Sequence, residues 1–216
     1  MNVEEEKRLA AYAAAQLVTD DMTVGLGTGS TVAYLLAALG EARVAARYVA
    51  SSPRTEAAAR ALGLRVEPFD TLERLDLAID GADQIADSGW LIKGGGGAHT
   101  REKIVCAAAD RYVVIADSTK VVQRLRAPVP LELLAFGLES TLARLSHARL
   151  RAEPASPDGG VLAEYLGAIG DPRTLAAWLA ATPGVIDHGL FAPELVSEVY
   201  VGIGKTVRTT TSGGDE

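Results

Sequence analysis

The chain is short of almost everything needed to build a metal centre, a disulfide frame or a membrane span. Its 216 residues include one cysteine, Cys106, and three histidines. A lone cysteine excludes an intrachain disulfide and a thiolate metal cluster, and it fits a reducing compartment. Cys106 lies in the apolar run Ile104-Val105-Cys106-Ala107-Ala108 and reads as a buried, inert thiol. His99, His147 and His188 have no metal-ligand spacing, so no metal site is expected. No nucleophile has a base in tow. No apolar stretch approaches the ~20 residues of a membrane helix. The start, Met1-Asn2-Val3-Glu4-Glu5-Glu6, is acidic where a secretory signal is basic. A net charge of −7 argues against a general nucleic-acid binder, though one local basic pocket remains compatible with it. These absences point to a cytoplasmic protein with neither a membrane nor a nucleic acid as partner.

What is present suits an ordinary globular chain, 48% hydrophobic and 23% charged. The length allows one large domain, or one domain with a smaller appendage. Residues 4–18 carry Leu9, Tyr12, Ala13 and Leu17 at helical spacing. Short apolar runs at Met22–Leu26, Tyr48–Ala50, Leu64–Val66, Leu75–Ile79, Trp90–Ile92 and Tyr112–Ala116 read as strands. Helices are expected between several of them: from Ser30 or Thr31 to Leu39 with a stop at Gly40, from Pro53 to Leu62, and over Thr100–Ala109. Strands alternating with helices predict a mostly parallel α/β sheet flanked by helices. Ligands then sit beyond the carboxyl ends of the strands. Four polar clusters follow strands and are expected to converge there.

Past Arg126 the pattern changes. Ala127-Pro128-Val129-Pro130 reads as a stiff connector to a smaller α+β domain. Its strands and helices are expected from Leu131 to Ala181, before a C-terminal strand, Val196–Ile203, that returns to the first sheet. The expected division is a catalytic α/β domain over 1–127 plus 197–216, with an inserted small domain over 128–196. Residues 212–216 are expected to fray.

Four constellations carry chemistry. The turn Gly25-Leu26-Gly27-Thr28-Gly29-Ser30-Thr31 lacks the lysine of a nucleotide P-loop and misses the dinucleotide spacing. It opens a helix and offers three hydroxyls in four residues. It reads either as a phosphate cradle or as a plain strand–turn–helix with Ser30 or Thr31 as cap. Asp80-Gly81-Ala82-Asp83 is ordinary turn chemistry, or a pair of acids whose repulsion separates their proton affinities. Lys93 precedes four glycines, Gly94 to Gly97. Four glycines cost about 0.5–1 kcal/mol each in regular structure. The run makes sense where backbone amides approach a developing negative oxygen. Glu102 in a first helical turn and Lys120 after a strand have plain surface roles, and gain meaning only from these neighbours.

Taken together, these segments resemble ribose-5-phosphate isomerase, type A. The resemblance includes Thr100-Arg101-Glu102-Lys103, Ala116-Asp117-Ser118-Thr119-Lys120, Pro128-Val129-Pro130-Leu131-Glu132 and Pro183-Gly184-Val185 with Gly189-Leu190-Phe191. It covers nearly the whole chain and is weakest at the N-terminal helix and after Glu194. It implies a cofactor-independent aldose–ketose isomerase of the non-oxidative pentose phosphate pathway, interconverting ribose 5-phosphate and ribulose 5-phosphate. It implies Glu102 as the base between carbons 2 and 1, with Asp80, Asp83 and Lys93 around the reacting carbons. It assigns the small-molecule sugar phosphate to Thr28, Gly29, Ser30, Thr31, Gly81, Ala82, Gly94, Gly95, Gly96 and Lys120, and more weakly to Lys7. It further implies a homodimer or homotetramer. Two positions depart from the family pattern: Gln84 stands where a glutamate is usual, and Gly160–Asp171 lacks an aspartate-rich strand. Amino-sugar phosphate deaminases and coenzyme A transferases share the broad fold, and a sugar-phosphate sensor domain of a transcription regulator is a rival of another class. The set Asp80, Asp83, Lys93 and Glu102 favours catalysis over binding without turnover.

Overall fold

The computed structural model describes residues 2–211; residues 212–216, expected to fray, lie outside the described residues. In chain order the elements are α1 (Val3–Ala15), β1 (Thr23–Leu26), α2 (Ser30–Ala42), β2 (Arg47–Ala50), α3 (Pro53–Ala61), β3 (Leu77–Gly81), β4 (Gln84–Ala86), β5 (Leu91–Ile92), α4 (His99–Ala108) and β6 (Tyr112–Asp117). A 3₁₀ turn over Ser118–Lys120 leads to β7 (Val121–Val122), β8 (Val129–Leu133), α5 (Leu138–Leu145), β9 (Ala148–Leu150), β10 (Val161–Tyr165), α6 (Pro172–Ala181), β11 (Val185–His188), β12 (Leu190–Phe191), β13 (Glu198–Ile203) and β14 (Thr206–Thr211).

The chain forms two compact units. The first comprises Met1–Ala82, Arg101–Val121 and Glu194–Glu216; the second comprises Asp83–Thr100 and Val122–Pro193. The expected division places Asp83–Thr100 in the first unit. It belongs to the second because β4 and β5 pair antiparallel with each other, and β5 pairs with β12.

The first unit is a six-stranded sheet in the order β14-β13-β6-β3-β1-β2. All pairs are parallel except the edge hairpin β13–β14. The α/β architecture expected from the alternation is therefore present, and the C-terminal strand does return beside β6. The central strands are buried along their length, as their unbroken apolar runs require. Ala10, Ala11 and Ala14 of α1 pack with Leu35, Leu36 and Leu39 of α2 in the core beside Leu26 and Ile79.

Local differences have physical causes. α2 passes Gly40 and runs to Ala42, because Leu35, Leu36 and Leu39 are buried on its face; it ends at Arg43 in the left-handed conformation. Its N-cap is Gly29 at φ 140°, with no side-chain cap, so neither Ser30 nor Thr31 plays that role. Leu64–Val66 contributes only a single bridge, Tyr48 to Val66. Pro128–Pro130 is more than a connector: Val129 and Pro130 begin β8, the strand between β11 and β10 in a four-stranded sheet of the second unit. That sheet packs with α5 and α6 in a core of Val129, Leu131, Leu133, Leu145, Leu175 and Leu179. Among the described residues, no helix is long and apolar enough to cross a membrane.

Candidate active site

β1 pairs with β2 on one side and β3 on the other, so the strand order reverses at β1. In open α/β sheets the crevice beyond such a reversal is where ligands bind. Leu26 is in register with Ile79, which sets Gly27 against Asp80 one residue further on. The Gly27 amide donates to the Ile79 carbonyl at 3.0 Å. A Cβ on Gly27 would lie 1.7 Å from the Asp80 carboxylate. Only glycine lets the two strand ends close this tightly. Asp80 itself is 2% exposed, and its Oδ1 accepts the amides of Thr28 at 3.1 Å and Gly81 at 2.6 Å.

Thr28 is held by residues that sequence reasoning missed. Its hydroxyl donates to Ser52 Oγ at 2.7 Å and lies 3.1 Å from Ser51 Oγ and 3.0 Å from Thr55 Oγ1. Thr55 in turn donates to the Gly27 carbonyl at 2.9 Å. Both donors of Thr28, its amide and its hydroxyl, thus serve the turn itself. The donors this loop can offer an anion are the first-turn amides of α2 and the hydroxyls of Ser30, which is exposed, and of Thr31, which is buried. The one sequence signal for the hydroxyl cluster is Ser51-Ser52 at the end of β2, a pair that also suits a plain helix start.

Glu102 occupies the first turn of α4 and is 3% exposed. Lys120 closes the 3₁₀ turn after β6, half-buried. That turn is pinned by Glu6 of α1, which sequence reasoning missed because an acid at a helix start is unremarkable. Glu6 Oε2 accepts the Ser118 amide at 3.0 Å and hydroxyl at 2.6 Å, and Oε1 accepts the Gly204 amide at 2.8 Å. These donors, the Ser118 hydroxyl first, hold the Glu6 carboxyl below the usual glutamate range. Lys7 is tied to Glu4 at 2.8 Å.

The second unit holds Asp83, Lys93 and the glycine run. The run follows β5, a strand of an antiparallel sheet, rather than a strand of the parallel sheet as expected. Lys93 is 2% exposed, and its ammonium lies over the Phe191 ring at 5.3 Å from the centroid. Gly94 has φ 106°, and a Cβ there would strike the buried His99 ring at 2.7 Å. Gly95 donates its amide to Asp83 Oδ2 at 2.8 Å. One amide of the run is therefore already used inside the loop. At the start of α4, Thr100 donates to the buried Glu132 carboxylate, which also accepts from Ser156.

The sequence profile of ribose 5-phosphate isomerase A (phosphoriboisomerase A) matches residues 47–206. A Methanosarcina acetivorans protein named ribose-5-phosphate isomerase A is 44% identical, over 91% of this chain and 90% of that one. The chain belongs to the ribose 5-phosphate isomerase A family. The structure of a family member from Methanocaldococcus jannaschii superposes with a TM-score of 0.89 at 32% identity, covering 95% of this chain and 97% of that one. A D-ribose-5-phosphate isomerase in complex with phospho-erythronic acid superposes at 0.91 with 33% identity, covering 98% of this chain and 100% of that one.

Against the ribose 5-phosphate isomerase A pattern, the departure at Gln84 has a local reason. Its amide nitrogen donates to the Arg126 carbonyl at 2.8 Å, and its oxygen accepts the Arg126 amide at 2.8 Å. A glutamate could make only one of these two bonds. His188, at the end of β11, is buried and accepts the Leu190 amide at Nδ1. Among the described residues no cluster of three or more His, Cys, Asp or Glu could hold a metal ion.

Proposed function

We propose that this chain interconverts D-ribose 5-phosphate and D-ribulose 5-phosphate through a cis-enediolate, with Glu102 as general base. The observation that carries the reading is Glu102 itself: a carboxylate at the start of α4, withdrawn from solvent to 3% exposure, in a chain of this family. An aldose–ketose shift needs one movable base and a preorganised field for the oxygen that gains charge. Glu102 takes the proton from carbon 2 and returns it to carbon 1, while one proton passes from oxygen 2 to oxygen 1. Lys93 stabilises the charge on the enediolate oxygen. Asp80 and Asp83 assist ring opening and the proton transfer between oxygens. Gly29 to Thr31 and Lys120 grip the phosphate, with Gly81, Ala82 and Gly94 to Gly96 lining the sugar. Thr28 supports the loop from beneath. The relative bound to phospho-erythronic acid supports a phosphorylated, anionic sugar as ligand.

The reading continues to a cytoplasmic homodimer or homotetramer in the non-oxidative pentose phosphate pathway. Phe136 is 93% exposed and Leu134, Leu150, Leu166, Trp178 and Ile186 are also exposed, all in the second unit. That much bare apolar surface supports contact with a second copy, and a light-scattering mass decides it. The function is tested by following ketose formation from ribose 5-phosphate with chelator present. Glu102→Gln is expected to lower kcat by about 10²–10⁴ while substrate still binds. Turnover near that of the unaltered chain would remove Glu102 from the role. Activity abolished by chelator would overturn a metal-free mechanism.

A further inference from the structure

We infer that Arg151, in the segment after β9, is a positioning residue that sets the direction of the glycine turn beside Lys93. The inference rests on the reading above, in which that turn serves the reacting carbons. Arg151 is fixed at its own backbone, where its amide donates to the Leu162 carbonyl of β10 at 3.0 Å. Its side chain is 11% exposed, and its guanidinium spans two successive carbonyls. Nη1 donates to Gly94 O at 3.1 Å and Nη2 to Gly95 O at 2.7 Å. Nε donates to Glu153 at 3.0 Å, which fixes the plane of the fork and, as the largest influence on it, holds the Glu153 carboxyl below its ordinary range.

The consequence follows from peptide geometry. In a trans peptide the carbonyl of one residue and the amide of the next point in opposite directions. With both carbonyls drawn to Arg151, the amides of Gly95 and Gly96 face away from it. The Gly95 amide meets Asp83 Oδ2 on that far side. Among the described residues the Gly96 amide has no partner, and it is left aimed the same way as the Gly95 amide. Gly97 donates back to Gly94 O at 3.0 Å and closes the turn. Arg151 thereby selects one of the many conformations open to four glycines, and presents one amide for a developing oxyanion. A lysine cannot do this, because an ammonium lacks the planar fork that bridges two carbonyls.

The test compares Arg151→Ala, Arg151→Lys and Glu153→Gln with the unaltered chain by two readouts. One is amide hydrogen exchange over residues 93–98; the other is kcat and KM for ribose 5-phosphate. Arg151→Ala is expected to speed exchange in that segment at least tenfold. It is expected to lower kcat by about 10–100-fold, in line with an ångström-scale misplacement, and to change KM less than threefold. Added guanidinium ion should restore part of the lost kcat. Arg151→Lys, the milder variant should the alanine fail to fold, is expected between the two. Glu153→Gln should keep kcat within threefold. Unchanged exchange, or an unchanged kcat, in folded Arg151 variants overturns the inference. A chain inert toward ribose 5-phosphate even when unaltered refutes the isomerase reading instead, and exchange alone then decides whether Arg151 holds the turn.

Discussion

Replacing Gly27 with alanine adds one methyl group where the chain leaving β1 packs against Asp80. The new Cβ would fall 1.7 Å from Asp80 Oδ1 and 1.8 Å from its Cγ. An ordinary nonbonded separation is about 3.5 Å, so the carboxylate must retreat by about 1.5–2 Å. It has no slack to do so in place, being 2% exposed and holding two amides on one oxygen. Overpacking costs about 1–3 kcal/mol, and each strained bond to a charged acceptor puts a further part of about 1.5–3 kcal/mol at risk. A net loss of about 3 kcal/mol lowers Tm by about 6–12 °C in a chain of this size. The catalytic effect should be larger than the thermal one suggests, since a misplacement of about 1 Å costs roughly 10²-fold in rate. Calorimetry gives the first quantity and ketose formation at 25 °C, well below the transition, gives the second. Gly63→Ala is the control: its φ is 80° and a Cβ there meets nothing within 4 Å. It should lose about 1 kcal/mol to backbone strain and keep its turnover. Gly27→Ala with unaltered kcat would refute the claim that the Asp80 carboxylate must stay where this glycine lets it sit.

Other expectations follow from single contacts. Lys120→Ala should raise KM more than it lowers kcat, because Lys120 makes no ion pair among the described residues and is proposed to meet phosphate; an unchanged KM counts against that role. Glu6 has its carboxyl held below the ordinary range, so it stabilises the fold above about pH 4.3 and that contribution is lost as pH falls through the lowered value. Tm of the unaltered chain should therefore fall more steeply below that pH than Tm of Glu6→Gln, and parallel curves would contradict the assignment. Gln84→Glu should cost about 0.5–1.5 kcal/mol at neutral pH by facing the Arg126 carbonyl with an acceptor at an exposed site. It should leave kcat unchanged, as read from a melting curve and the ketose assay together.

Much of the fold was legible because the first unit obeys local rules. Apolar runs too continuous for an exposed sheet mark β1, β3 and β6, and Pro53 and Pro172 sit at the first positions of their helices. Glycine runs and acidic turns could be placed at strand ends from spacing alone. What spacing cannot convey is which distant group completes each turn. Thr28 needs Ser52 and Thr55, the Ser118 turn needs Glu6, and Gly94 needs Arg151. These partners lie 24 to 112 residues away along the chain, and each is a residue type with a more ordinary local role.

The three supports share one physical purpose. A glycine- or hydroxyl-rich turn left to itself would sample many conformations, each ordered residue costing about 1–2 kcal/mol. If substrate had to supply that ordering, the cost would be subtracted from the free energy of binding it. Here it is met in the folded chain by hydrogen bonds that need no substrate, several of them to a full charge and so stronger than neutral ones. The hydroxyl cluster fixes the turn that opens α2, Glu6 fixes the turn before Lys120, and Arg151 with Asp83 fixes both faces of the Gly94–Gly95 peptide. On the proposed mechanism Asp83 combines two duties. The carboxylate assigned to proton transfer also anchors the loop, so its removal should loosen the Gly95 amide as well as slow the chemistry. Asp83→Asn keeps an acceptor for that amide and loses the charge, whereas Asp83→Ala loses both. Faster exchange at residues 94–97 in the alanine variant alone, with kcat low in both, would separate the two duties. Exchange in both variants no faster than in the unaltered chain would show that Asp83 does not anchor the turn.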